Sequence, residues 1–477
     1  MSDNAPASSP PSPSSSSSAA SASPVRGTRQ TLLAVFGVCA VVMLVALDST
    51  IVGTILPQVA RELDGMALYA WVGTGYLLSS AIVIPIFGRL GDLFGRKPFI
   101  LASIVVVAVG SLMCALSQTM PHLIVARTLQ GLGGGMLVAT AFAAPADLFP
   151  DAARRIRWQA LVSTCYAVAS GLGPLLGGAV TQAIGWRAAF LVVPAVAVVS
   201  FVMLFRYFPR LVPRHERRPR IDWLGGVLLV VAVGAPMAAL ELGFAVGAKP
   251  LLAALFALVG AAAIAALWPY EKRVELPMFP LRVLASRESR LLNVVSVMIG
   301  AVMFNLMYYG PLLLQTVVGM TPAQAGLVLA PLVACIPLGS VINGRLFPRQ
   351  SQPQRLLVLG AAIVGAGCLG VMGLDSGSST GFAFAVFGLS GVGLGFVLPN
   401  LTLFMQIIAD RRDVGVASAL VQTTRTLGSA VGTAVIGIII TRTSVPAGVH
   451  SGIVMSLLFC AVTVVLAPQI KMKNLRR

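Results

Sequence analysis

The sequence predicts an all-α membrane protein with fourteen transmembrane helices, and three observations predict it. Of 477 residues, 57% are hydrophobic and only 10% charged, against about 25% charged in an ordinary soluble domain. The mean hydropathy is +0.89. Apolar runs of the roughly 20 residues that a bilayer core requires recur along the whole chain. They lie near 31–56, 69–88, 98–118, 122–146, 158–182, 188–206, 221–244, 250–270, 291–316, 323–344, 355–374, 381–406, 415–440 and 449–469.

The net charge of +18 would suit nucleic acid, but its distribution follows membrane topology instead. With the N-terminus inside, 28 of the 34 Lys and Arg fall in cytoplasmic segments. Arg61, Arg187, Lys249 and Arg442 fall outside, and Arg127 and Arg425 lie within spans. This is the positive-inside pattern. The tail KMKNLRR is also basic, which fits an even number of spans with both termini cytoplasmic. The partners expected on this ground are a lipid bilayer and no nucleic acid. All six cysteines (Cys39, Cys114, Cys165, Cys335, Cys368, Cys460) fall inside spans and read as small apolar packing residues. Neither they nor His122, His215 and His450 show metal-ligand spacing, so no metal and no cofactor is expected.

Residues 1–30 are Ser, Pro and Ala with almost no acid. Such a segment cannot bury a core and is expected to be a disordered cytoplasmic tail. A transit peptide shares this composition, but only Arg26 and Arg29 supply charge.

An internal repeat then divides the chain. ALVSTCYAVASGLGPLLGG from Ala160 matches ALVQTTRTLGSAVGTAVIG from Ala419, a shift of 259. Gly88-Arg89-Leu90 matches Gly344-Arg345-Leu346 at 256, and Gly131 matches Gly391 at 260. The expected organisation is a six-helix bundle over 31–206 and a second over 291–477, which ends in a short basic tail. Between them lie linkers over 207–290, with an inserted transmembrane hairpin at 221–270. Repeated halves with a site at their interface are the architecture of alternating-access carriers.

Between spans two and three stands Gly88-Arg89-Leu90-Gly91-Asp92-Leu93-Phe94-Gly95-Arg96-Lys97-Pro98. Its glycines permit a tight turn, and Asp92 can accept hydrogen bonds from a helix N-terminus. A short basic loop alone would be ordinary topology. The whole string resembles motif A of the major facilitator superfamily. The resemblance implies a cytoplasmic latch of Gly88, Arg89, Asp92, Gly95, Arg96, Lys97 and Asp147, with Asp92 facing the start of the 415–440 helix and Arg96 reaching Asp147.

The first span carries Asp48 in LDSTIV. A carboxylate within a span costs about 2.5–3.5 kcal/mol and is a functional candidate. Its bland reading is a partner for buried Arg127, in Arg127-Thr128-Leu129-Gln130-Gly131, and the two readings are compatible. LDSTIV resembles the first-helix motif of the 14-helix drug:proton antiporter family of that superfamily. RTLQGLGGG resembles its motif B, whose Arg handles protons, so Asp48 and Arg127 are the implied proton-coupling pair. Gly171-Leu172-Gly173-Pro174-Leu175-Leu176-Gly177-Gly178 contains a GxxxG pair for close packing and a proline that bends the helix. By itself it reads as packing. The string resembles the antiporter motif, implying roles for Gly173, Pro174, Gly177 and Gly178. Ala169 stands where that family has Gly.

Further strings extend the resemblance over nearly the whole chain after residue 30: Gly185-Trp186-Arg187, Tyr270-Glu271-Lys272-Arg273, Tyr308-Tyr309-Gly310-Pro311 and Arg425 with Gly428 and Gly432. The resemblance implies a major facilitator fold of two six-helix bundles plus a two-helix insertion. It implies a proton-coupled antiporter that exports amphipathic drugs or toxic molecules across a bacterial plasma membrane. Its partners would be a small-molecule substrate and protons; whether a periplasmic adaptor joins is left open. Asn305, Tyr308, Asn400, Phe404, Gln422 and Arg425 are the expected cavity lining, as polar or aromatic residues on spans facing the centre. An exporter of an endogenous metabolite, such as a siderophore or amino-acid derivative, remains the alternative. Gly365-Ala366-Gly367-Cys368-Leu369-Gly370 fits GxGxxG, but sits in an apolar span with no strand before it. No GxxxxGK[ST] or HExxH string occurs, and an enzyme is not expected.

Overall fold

A computed structural model describes residues 28–149, 152–210, 222–244, 249–274, 281–409 and 414–470. The expected tail over 1–27, much of the linker regions and the basic tail at 471–477 lie outside the described residues. The described chain is helical, without strands.

The first half comprises α1 (Thr28–Glu62), α2 (Tyr69–Phe94), α3 (Arg96–Ala115), α4 (Met120–Ala141), α5 (Ala144–Leu148), α6 (Ala152–Ala183) and α7 (Trp186–Tyr207). A hairpin follows, α8 (Trp223–Phe244) and α9 (Pro250–Glu271). The second half comprises α10 (Arg287–Thr316), α11 (Pro322–Leu346), α12 (Gln354–Met372), α13 (Thr380–Ile408), α14 (Val414–Arg442) and α15 (Val445–Leu466). Among the described residues, twelve helices are long and apolar enough to cross a bilayer. The two expected spans outside that set correspond to α6 (Ala152–Ala183), which is described only in part, and α8, whose described apolar part is the shorter run Trp223–Ala239. The short α5, which carries Asp147, was not anticipated from hydropathy because five residues make no apolar run.

Local chemistry sets the helix ends. The side chains of Thr119, Ser286, Thr321, Ser379 and Ser444 each accept a backbone N–H of the helix they open. Thr321 and Gln324 complete a reciprocal capping box. Between α2 and α3, Gly95 takes φ 86° and ψ 145°, a region essentially restricted to glycine. Gly95→Ala is therefore expected to cost about 1–3 kcal/mol, seen as a lower unfolding midpoint in detergent. Gly88→Ala, where a new methyl would meet nothing within 4 Å, is the matched neutral control.

In the first half, α1 packs on α6 and α7, α4 on α2 and α3, and α3 on α7. In the second, α10 packs on α14 and α15, α13 on α11 and α12, and α12 on α15. The halves meet along two long seams, α6 with α11 and α2 with α14, and more briefly where α1 crosses α10. The hairpin helices pack on each other, and α8 also touches α2 and α14.

The repeat reappears in the close approaches. A methyl on Gly133 would stand 2.7 Å from the Val107 backbone nitrogen, and one on Gly393 2.7 Å from that of Val364. Gly131 abuts the Tyr76 backbone and Gly391 the Leu332 backbone; Gly135 abuts Ser80 and Gly395 abuts Ile336. Each pair is related by a shift of 256 to 260, so α2–α4 and α11–α13 are one packing unit built twice.

Candidate functional site

Asp48 sits mid-helix in α1 with its side chain 2% exposed, and Arg127 in α4 is 0% exposed. An apolar span places both away from water, where each needs the other. The Arg127 Nη1 donates to Asp48 Oδ1 at 3.1 Å and Oδ2 at 3.3 Å. Gln130, one turn along α4, closes the cluster. Its Nε2 donates to Asp48 Oδ1 at 2.6 Å, and its Oε1 accepts from Arg127 Nη1 at 2.7 Å. The Tyr76 ring of α2 lies 4.2 Å from the guanidinium carbon, a cation–π contact. The Tyr308 side chain of the other half lies near the guanidinium, and Gly73 of α2 makes room for its ring. The Tyr308 hydroxyl and Arg127 Nε and Nη2 are buried without hydrogen-bond partners. The ion pair thus lies beside a residue that must move if the halves separate.

A second polar group lies between the halves. Tyr166 of α6 lies close to Ser49 of α1, to Ser170, and to Arg425 of α14. Arg425 donates to the Gln422 side-chain oxygen one turn before it. A charged residue at this depth costs about 2.5–3.5 kcal/mol by insertion scales, which the single neutral acceptor offsets only in part.

At the end of the bundle that carries the α10–α11 turn, the halves are sealed. Gln315 of α10 donates to the Thr54 carbonyl at 3.0 Å and accepts from Arg61 at 3.1 Å. The Tyr69 hydroxyl donates to the Tyr308 carbonyl at 2.8 Å. The antiporter-motif residues lie here. Gly173 and Gly177 face the Thr50 side chain and the Ile51 backbone of α1, Gly178 faces Pro322 and Ala323, and the Pro174 carbonyl lies against Gly326 of α11. A side chain on Gly178 would stand 2.9 Å from Ala323 Cα. Gly178→Leu is expected to part this seam, raising maleimide labelling of an Ala323→Cys reporter severalfold; unchanged labelling would refute it.

At the opposite end, Arg96 pairs with Asp147, both side chains partly buried. Lys97 donates to the Phe205 and Phe208 carbonyls at 2.7 and 2.6 Å, tying α3 to the end of α7. Arg89 has a buried Nε without a partner. The side chains of Asp92 and of residues 414–416 in the first turn of α14 lie outside what the structure describes, so the expected Asp92 contact does too.

Of the residues expected to line a cavity, Tyr308 packs against Gly73 of the first half, and Arg425 and Gln422 are bonded to each other within α14. Asn305, Asn400 and Phe404 are each engaged inside the second half. Asn305 donates to the Gly452 carbonyl at 2.5 Å and to Ser456 at 2.6 Å, inside the α10–α15 contact. Asn400 and Asn343 exchange side-chain hydrogen bonds at 2.9 and 3.1 Å between α13 and α11. Phe404 is fully buried, 6.1 Å from the Phe347 ring. A polar side chain in a span is satisfied equally by a neighbouring helix and by a cavity. Gln130, Tyr76 and Tyr166 were not anticipated. Gln130 had a legible signal, since it lies three residues after Arg127 and shares its helix face.

Comparison with known proteins agrees with this architecture. The chain is 28% identical over 423 residues to the multidrug transporter protein MdtP of Bacillus subtilis (strain 168), covering 87% of this chain and 76% of that one. It is 29% identical over 407 residues to the methylenomycin A resistance protein of Streptomyces coelicolor, covering 84% of each. Its fold matches the crystal structure of a bacterial homolog of the human lysosomal transporter Spinster, inward-facing and unoccupied. That match has a TM-score of 0.65 at 14% identity and covers 93% of this chain and 98% of that one. The family described as Major Facilitator Superfamily matches residues 38–433. With its apolar helices and paired halves, this multi-pass membrane protein belongs to the Major Facilitator Superfamily.

Proposed function

We propose that the chain is a proton-coupled antiporter of the 14-helix drug:proton branch, exporting amphipathic drugs or toxic small molecules across a bacterial plasma membrane. The observation that carries the reading is the sealed Asp48–Arg127–Gln130 cluster, touched by Tyr308 from the other half. A proton on Asp48 cancels its charge and releases Arg127 to Gln130 and the Tyr76 face. Loss of the proton restores the pair. Because Tyr308 lies against Arg127, each exchange alters a contact between the halves, which is the coupling an antiporter needs. The names of the relatives, a multidrug transporter and an antibiotic resistance protein, support export of foreign compounds.

Counting α6 and α8 as spans raises twelve to fourteen. An even count puts both termini on one side, and the Lys and Arg distribution makes that side the cytoplasm. The domains are then the bundles 31–206 and 291–477 around the linkers and inserted hairpin. The Gln315–Thr54 end is the outer face, closed here, and the Gly173–Gly178 seam is part of that closure. The Arg96–Asp147 end is cytoplasmic, where Gly88, Arg89, Asp92, Gly95 and Lys97 form the latch region.

The test is the purified chain in liposomes with a trapped pH dye and an imposed proton gradient. Adding a transported amphipath should accelerate proton movement in the direction opposite to the amphipath. Amphipath transport without any proton movement would sink the reading.

A further inference from the structure

Charge is not balanced between the halves. Asp48 and Arg127 cancel one another within the N-terminal helices. The other ion pairs of the described residues, Arg96–Asp147 and Arg187–Glu62, lie towards the two ends of the bundle. Among the described residues, Arg425 forms no ion pair. Among the described residues its guanidinium spends one donor, on the Gln422 oxygen. Its electrostatic neighbour in the first half is the Tyr166 hydroxyl, which itself lies beside Ser49 and Ser170, and the Ser170 Oγ is buried without a partner. Arg425 and Gln422 are half-buried rather than sealed, as are Tyr166 and Phe304. Phe304 stacks on Tyr308 at 5.7 Å, which adds an aromatic surface to the same side of α10.

A guanidinium with free parallel N–H groups is matched best by a carboxylate, which takes two hydrogen bonds at once. A cation here would meet a like charge in a poorly hydrated site. We propose that the cargo is an amphipathic organic anion, with Arg425, Gln422 and Tyr166 holding its anionic group, a carboxylate in the simplest case. This rests on the export reading above and narrows it to a chemical class. A negative potential inside the cell also assists an anion outward, so such cargo leaves with its electrical gradient.

Three probes share one fluorescent body: pyrenebutyrate, its neutral amide, and pyrenebutyl-trimethylammonium. Their binding to the full chain in nanodiscs, without any gradient, is read by anisotropy. Pyrenebutyrate should bind about tenfold or more tighter than the amide, as one well-placed charge-assisted pair allows, and the ammonium weakest. Arg425→Gln should remove the preference, Arg425→Lys should keep the order, and Tyr166→Phe should weaken pyrenebutyrate severalfold. Equal binding of the three by the wild type, tightest binding of the ammonium, or an unchanged preference in a folded Arg425→Gln protein would each overturn the assignment. Binding without a gradient separates this result from the antiport reading. A chain that prefers the acid yet moves no protons keeps the anion site and loses antiport. A chain that exchanges protons for the ammonium and not for the acid keeps antiport and loses the anion site.

Discussion

Asp48→Asn is expected to abolish concentrative export while leaving a folded carrier. The amide has the same shape, and its oxygen can keep the hydrogen bond now made by Gln130 Nε2 at 2.6 Å. What disappears, under the proposed antiport, is the ability to exchange a proton and with it the alternation of charge beside Arg127. The coupled proton is worth about 2.3 kcal/mol per 100 mV, so its loss lowers the attainable substrate gradient roughly fiftyfold at that potential. Exchange of labelled for unlabelled substrate at equal concentrations needs no proton and should persist. The measurement is proton-driven accumulation against such counterflow, in the same liposomes. Normal accumulation by the Asn variant would remove Asp48 from the coupling.

Arg127→Met is expected to be the most destabilising single change at the site. It leaves a carboxylate 2% exposed in the middle of a span, without its charge partner. Breaking one side of a buried pair costs about 3–5 kcal/mol, whereas removing both charges together is close to neutral. The double variant Asp48→Asn, Arg127→Met should therefore recover most of the lost thermal stability in detergent. A double variant as unstable as Arg127→Met alone would show that Arg127 acts by packing, through its 4.2 Å contact with Tyr76, rather than by charge.

The coarse fold was legible because a bilayer accepts few solutions. Long apolar runs, the split of Lys and Arg and a shift of about 259 residues sufficed for helices in two related sets. Asp48 and Arg127 were legible for the same reason, since unlike charges in apolar spans have few ways to be satisfied. The partners of the polar residues in the second half were not. Asn305 and Phe304 differ by one position on α10, and that turn decides whether a side chain meets α15 or the opposite half. Asn400 found Asn343 on α11, a partner 57 residues away that no local pattern announces. Gln130 stood in view within the RTLQG string, but its role depends on Asp48, 82 residues earlier, lying across from it.

The doubled α2–α4 and α11–α13 unit has a consequence for how labour is shared. The shift that carries Gly131 onto Gly391 carries Arg127 onto Phe387 and Gln130 onto Ser390, both fully buried. The duplicated scaffold thus shares its close backbone approaches, while the Asp48–Arg127–Gln130 cluster has no counterpart at Phe387 and Ser390. Under the proposed antiport, proton handling at these positions falls to the first copy alone, and the second contributes only a tightly packed joint between α11 and α13.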